Sequence, residues 1–382
     1  MSTQESPLTV PEGIIDQDQL LSSVAQDSQV AGMPQIHEVF DANTRWGEKP
    51  GEITPLQNPI SEFNARGGME LSKYREMKSH FTDEYPELGK EMWAKTKEKL
   101  PAFEMMQDPR TGQNLRVQRF NWPDDGDVAE QTVTIVNRGF YVSIDPDHIQ
   151  YQHYSIAEEL DSPLIVFENP EYGESDGLTH EQKKALKDNG DFGPVAEPML
   201  GIAKALGIKK VNLVGYSMAA AIADAIAAHA IDYDIEVEAL LDMEDPMVVE
   251  EGGLKLAHDF SSDGRNLKFA WKNPMDPVLQ ETAKLEYSIP KGILSYGRAL
   301  KKGGEKTVLA EALDSQPKMR LILASAGASK ISPAAPNRQL YDELHTEYAH
   351  RTIRRIIMPG ESHAYSNSAQ RFADLVKRAL AT

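Results

Sequence analysis

Hydrophobic residues are spaced differently in successive stretches of this chain, and each spacing predicts a different kind of element. Over residues 1–66 the apolar positions are scattered among Ser, Gln, Pro and Asp, and turn signals at Lys49-Pro50-Gly51 and Asn58-Pro59 break any period. That predicts an extended or partly disordered arm. Across 67–101, Leu71, Tyr74, Met77 and Phe81, then Leu88, Met92 and Trp93 after Pro86, recur at helical intervals. They predict two short amphipathic helices that cover one edge of something larger.

From residue 102 the period shortens. Phe103-Glu104-Met105-Met106 and Leu115-Arg116-Val117-Gln118-Arg119-Phe120 flank the turn signal Asp108-Pro109-Arg110-Thr111-Gly112, which reads as a hairpin. Short apolar runs then recur at 133–136, 164–167, 211–214, 237–241, 321–323 and 353–358, several separated by helical stretches. Runs that are apolar on both faces and alternate with helices predict an α/β fold with a mainly parallel central sheet flanked by helices. The stretch 247–317 breaks into helical pieces carrying Phe260, Phe269, Trp271, Met275, Leu279, Tyr287, Ile293 and Tyr296. It is too long for a loop and is read as a helical cap inserted into a core formed by 102–246 and 318–382. Its aromatics fit two uses equally well, a small core of the insertion or the apolar wall of a substrate pocket.

Composition narrows the partners. Forty basic against 59 acidic residues give the 382-residue chain a formal charge of −19, which repels nucleic acid and anionic membranes. Cysteine is absent, so a disulfide framework, a thiolate metal site and a cysteine nucleophile are excluded. No apolar stretch approaches the length that spans a bilayer, and the first residues lack the basic and apolar regions of a signal peptide. The expected setting is cytoplasmic.

The most informative segment is Val211-Asn212-Leu213-Val214-Gly215-Tyr216-Ser217-Met218-Ala219-Ala220-Ala221. It sets Ser217 between small residues, Gly215 and Ala219, where a short apolar strand turns into an alanine-rich helix, which is how a nucleophile elbow reads. A serine hydroxyl needs a base within hydrogen-bond reach and an acid to orient that base. Near the C-terminus, Met358-Pro359-Gly360-Glu361-Ser362-His363 puts a histidine on the loop between the last expected strand and a closing helix at 369–380, so His363 is the base of choice.

With these residues in view, the stretch from about 102 to 382 resembles the α/β-hydrolase superfamily. Asn169-Pro170-Glu171-Tyr172-Gly173-Glu174-Ser175-Asp176-Gly177 is similar to that family's proline, glycine, serine and aspartate pattern, with Glu171 where a glycine is usual. Val136-Asn137-Arg138-Gly139-Phe140 stands where the family has His-Gly, with Arg138 as a departure. The resemblance implies an oxyanion hole on the backbone N–H groups of Met218 and Phe140. It also implies an acid after the strand at 321–323, yet that loop, 324–333, carries no carboxylate. Some members take the acid from the preceding strand end, here Leu240-Leu241-Asp242-Met243-Glu244-Asp245-Pro246. Asp245 is the first choice because Pro246 ends the strand there; Asp242 and Glu244 stay open, as does a Ser-His dyad.

The expected activity is hydrolysis of an ester or related acyl bond of a small, partly apolar molecule, with no cofactor and no metal needed for the reaction. A serine at the elbow argues against the dehalogenase and epoxide-hydrolase branches, which carry a carboxylate there. The rival expectation is a non-catalytic scaffold that binds a second copy of the chain or a protein partner through its N-terminal arm. Other signals are weaker: the pairs His148 and His153, and His345 and His350, lie five apart, off a shared helical face, and read as solvated. The run Lys301-Lys302-Gly303-Gly304-Glu305-Lys306 reads as a turn.

Overall fold

A computed structural model describes residues 37–39, 90, 93–137, 139, 143–248, 293–327, 329–358, 363–367 and 369–381. Its centre is one nine-stranded sheet in the order β1-β9-β8-β7-β6-β4-β5-β3-β2. The strands are β1 (His37–Val39), β2 (Phe103–Gln107), β3 (Asn114–Phe120), β4 (Thr132–Asn137), β5 (Leu164–Phe167), β6 (Lys210–Tyr216), β7 (Glu236–Met243), β8 (Arg320–Ala326) and β9 (Ile353–Met358). β2 and β3 form an antiparallel hairpin, and β3 joins β5 antiparallel; every other pairing is parallel.

The period-two alternation of the strands sorts their side chains into two cores. Val133, Ile135, Leu213, Leu240, Leu321 and Leu323 face one hydrophobic cluster, while Val136, Val214, Leu241, Ile322 and Ala324 face the other. Each such buried aliphatic contributes ~1.5–3 kcal/mol relative to exposure, which is why the register of the sheet is fixed. Among the described residues, the helices on it are α1 (Asp147–Leu160), α2 (His180–Asn189), α3 (Gly193–Ala205), α4 (Met218–His229), α5 (Ile293–Leu300), α6 (Glu305–Ser315), α7 (Ala334–Glu347) and α8 (Ala369–Leu380). α3 and α6 pack on α4 over the first cluster, and α8 packs on α1 over the second.

Three expectations change here. The arm carries a strand, since β1 pairs parallel with β9 at the edge of the sheet. Of the segment 247–317, α5 and α6 pack into the body of the fold: Leu309, Ala312 and Leu313 lie in the first core, and buried Tyr296 meets Tyr172 edge-on at 5.6 Å and donates to the Pro170 carbonyl at 3.0 Å. Phe260, Phe269, Trp271, Met275, Leu279 and Tyr287 lie outside the described residues, as does the first expected helix, with Leu71, Tyr74, Met77 and Phe81; of the second, residues 90 and 93–97 are described and are helical. Finally, His148 and His153 are buried, because α1 is covered by the sheet on one side and by α8 and Trp93 on the other. His345 is half-buried and His350 exposed.

Candidate active site

Ser217 sits between the end of β6 and the start of α4 with φ 59° and ψ −133°. A non-glycine residue in that region is strained, and only surrounding structure that over-determines it keeps it there. Gly215 permits the tight crossing: a Cβ there would lie 2.5 Å from the Ala219 carbonyl oxygen, 2.5 Å from Ala220 Cα and 2.8 Å from Ala223 Cβ. The Ser217 N–H donates to the Met243 carbonyl at 2.8 Å, which ties the elbow to the end of β7. Gly139 lies against the serine, where a Cβ would come within 3.2 Å of Ser217 Cβ.

Beyond β9 the chain turns through a short 3-10 segment, His363–Asn367, that brings His363 back over the elbow. Its Nε2 is 2.8 Å from Ser217 Oγ and its Nδ1 is 3.0 Å from Glu244 Oε2. The Tyr216 hydroxyl donates to the His363 carbonyl, and the two rings lie 5.3 Å apart. Glu244 follows the end of β7 with φ 61°, and this left-handed turn swings its side chain towards the histidine. Its Oε1 accepts from the Ala326 N–H, and its own N–H donates to the Ala324 carbonyl at 3.0 Å. All three side chains are buried, with Glu244 at 1 %, Ser217 at 3 % and His363 at 6 % exposure, so their electrostatic interactions act in a low dielectric.

The carboxylate at the histidine is therefore Glu244 rather than Asp245, the first choice. Asp245 turns the other way, its Oδ1 accepting from the Met247 N–H at 2.7 Å. Asp242, inside β7, projects to the α4 and α6 side because strand side chains alternate. Asp242 and Asp245 meet Asp224 of α4 and Glu305 at the start of α6. Burial, reinforced by the neighbouring carboxylates, pushes Asp224, Asp245 and Glu305 well above the usual carboxylate range and Asp242 up to about 7.

Of the two oxyanion donors the resemblance implied, Met218 is the first residue of α4, where an N–H has no partner within the helix. Phe140 and Arg138 lie outside the described residues. Sequence reasoning did not single out Tyr216 as an anchor of His363, and nothing in its neighbours signals that the ring points at a histidine far along the chain.

No protein-family model matches the chain, and no curated protein sequence matches it. Many solved structures do. A bromoperoxidase from Bacillus anthracis aligns with a TM-score of 0.50 at 11% identity, over 74% of this chain and 100% of its own. An esterase from Exiguobacterium antarcticum gives 0.50 at 14% identity over 74% and 100%. A thermophilic esterase from Thermogutta terrifontis gives 0.50 at 14% over 73% and 98%. The chain has the α/β-hydrolase fold. Among the described residues no helix is long and apolar enough to cross a membrane.

Proposed function

We propose that this protein is a serine hydrolase acting on an ester or related acyl bond of a small, partly apolar molecule in the cytoplasm. The observation that carries the reading is the hydrogen-bond chain from Ser217 Oγ through the His363 ring to Glu244, buried at a strained strand-to-helix turn. In this reading Ser217 Oγ attacks the carbonyl carbon while His363 Nε2 takes its proton. Glu244 accepts from Nδ1–H, fixing the tautomer that leaves Nε2 free as the base, and stabilises the imidazolium that forms. The N–H of Met218, at the positive end of α4, stabilises the oxyanion. Collapse of the tetrahedral intermediate expels the alcohol, which takes the proton from His363, and water repeats the sequence to release the acid. The esterases of the same fold from Exiguobacterium antarcticum and Thermogutta terrifontis support the choice of an acyl bond.

Labelling with a fluorescent fluorophosphonate tests it, comparing wild type with Ser217→Ala and His363→Ala. The reading requires wild-type labelling that disappears in both variants. A folded wild type that does not label would refute it and leave the scaffold reading, with the arm as its contact surface.

A further inference from the structure

Behind the elbow, on the side of the sheet away from His363, three elements bring four acids together: Asp224 from α4, Asp242 and Asp245 from the end of β7, and Glu305 from the first turn of α6. Each is at most 3 % exposed. Five of their carboxylate oxygens have no hydrogen-bond partner: both of Asp224, and one each of Asp242, Asp245 and Glu305. The hydrogen bonds the cluster does make are from the Met247 N–H to Asp245 and between Asp242 and Glu305. Among the described residues, no arginine, lysine or histidine enters the electrostatic surroundings of any of the four.

Buried carboxyls without a counter-charge have two ways to persist. They can keep protons and hydrogen-bond to one another, or they can enclose a cation. The geometry divides the cluster between them. Asp242 and Glu305 hydrogen-bond to one another as proton-sharing carboxyls do, whereas Asp224 makes no hydrogen bond with either oxygen although it is 1 % exposed and surrounded by acids. Instead, one oxygen from each of Asp224, Asp242 and Asp245 can be chosen so that all lie within 4.8 Å of one another. A cage made only of protein carboxylates suits calcium, which accepts flexible oxygen geometry, better than magnesium, which dehydrates reluctantly and demands near-ideal octahedral geometry. The donor set is oxygen only, which selects a hard cation and disfavours zinc or copper.

We propose that Asp224, Asp242 and Asp245 bind one hard divalent cation, calcium in preference to magnesium, in a buried site beside Glu305 that ties the nucleophile helix to the strand end bearing Glu244. Asp242 and Asp245 flank Glu244 in the chain, so the ion clamps the segment that presents Glu244 to His363, while Asp224 holds α4, whose first residue follows Ser217. The cation takes no part in bond making. Its binding does not depend on the proposed hydrolase reading, and its test has readouts other than activity.

The experiment uses the full chain, first by elemental analysis as purified, then after EDTA treatment and desalting, titrated with calcium chloride or magnesium chloride by calorimetry and thermal unfolding. The expected result is one calcium per chain and a Tm that climbs with the logarithm of free calcium, with a smaller response to magnesium. In Asp224→Asn/Asp242→Asn, which keeps side-chain volume and removes two of the three proposed carboxylate ligands, the chelated protein stays folded and the calcium response is lost. Absence of bound metal with no response to either ion overturns the proposal. A response to magnesium alone overturns the calcium assignment, and a calcium response that survives unchanged in the double variant overturns the site. Should the variant fail to fold, the wild-type metal content and titration still decide.

Discussion

Replacing Gly215 by alanine tests how the elbow is built. The added Cβ would meet the Ala219 carbonyl oxygen and Ala220 Cα at 2.5 Å and Ala223 Cβ at 2.8 Å. Ordinary non-bonded contacts are ~3.5–4.0 Å, so every one of these atoms must retreat by ~1 Å. Two of the three belong to the backbone of α4 and cannot move alone, so the helix shifts as a body against the core formed with α3 and α6. Overpacking of a close-packed core costs ~1–3 kcal/mol, and the backbone contacts put this substitution at about 3 kcal/mol. A shift of ~1 Å also takes the contact between Ser217 and His363, now 2.8 Å, beyond hydrogen-bond range, with a rate loss of ~10²-fold if the proposed nucleophile is used. Guanidinium unfolding and the rate of fluorophosphonate labelling measure the two effects. Adding Ala223→Gly relieves one contact of three and should recover the smaller part of the stability. An unchanged unfolding midpoint in Gly215→Ala would refute the packing argument.

Glu244→Gln should slow acylation by ~10³–10⁴-fold with little change in fold, because a glutamine cannot stabilise the imidazolium; a loss under tenfold in a single-turnover assay would count against Glu244 as the orienting acid. Arg116→Met removes the guanidinium that lies 2.7 Å from buried Glu168, leaving that carboxylate to Ser143 and the N–H groups of Glu174 and Ser175. The expected loss is ~3–5 kcal/mol by denaturant unfolding, and a loss below about 1 kcal/mol would show that the pair is dispensable. Tyr296→Phe keeps the ring contacts to Tyr172 and Phe192 but strands the Pro170 carbonyl. It should cost ~1–2 kcal/mol, and equal stability of the two proteins would refute that. In chelator, Asp242 and its buried neighbours hold their protons more tightly when folded than when unfolded, where aspartate titrates near ~3.9. The contribution of Asp242 to stability is complete below that value and fades as pH rises through its folded value of about 7, and its neighbours, raised in the same direction, add to the same trend. Thermal unfolding of the EDTA-treated protein from about pH 5 to about pH 8 should therefore show a falling Tm that saturating calcium removes, and a rising Tm would contradict it.

Much of the fold could be read because the strands are buried on both faces, so 133–136, 164–167, 211–214, 237–241, 321–323 and 353–358 stand out as apolar runs, and all six lie in strands of the sheet. Ser217 and His363 were legible from the order of elements around them. The choice among three clustered acids was not. The strand ends at Met243, ahead of the Asp245-Pro246 pair expected to close it, and which carboxylate reaches His363 is decided by the left-handed turn at Glu244, where glutamate at φ 61° carries no local signal. The same holds for the strand in the arm: three residues with no alternation of their own become β1 because β9 offers an edge. α6 resisted recognition as part of the core for a related reason, since its partner α4 is remote in sequence and its apolar positions fit a cap as well as a core.

The pairing of His37 with Arg355, Glu38 with Ile356 and Val39 with Ile357 also sets an order of events during synthesis. The arm leaves the ribosome before the strand it joins, and its place in the sheet does not exist until residues 353–358 have been made. Until then β1 has nothing to join, and once β9 has docked on β8 its outer row of N–H and C=O groups stays open for any extended segment nearby. A chain shortened at the N-terminus would keep that row open permanently, inviting a second molecule to lend the missing strand.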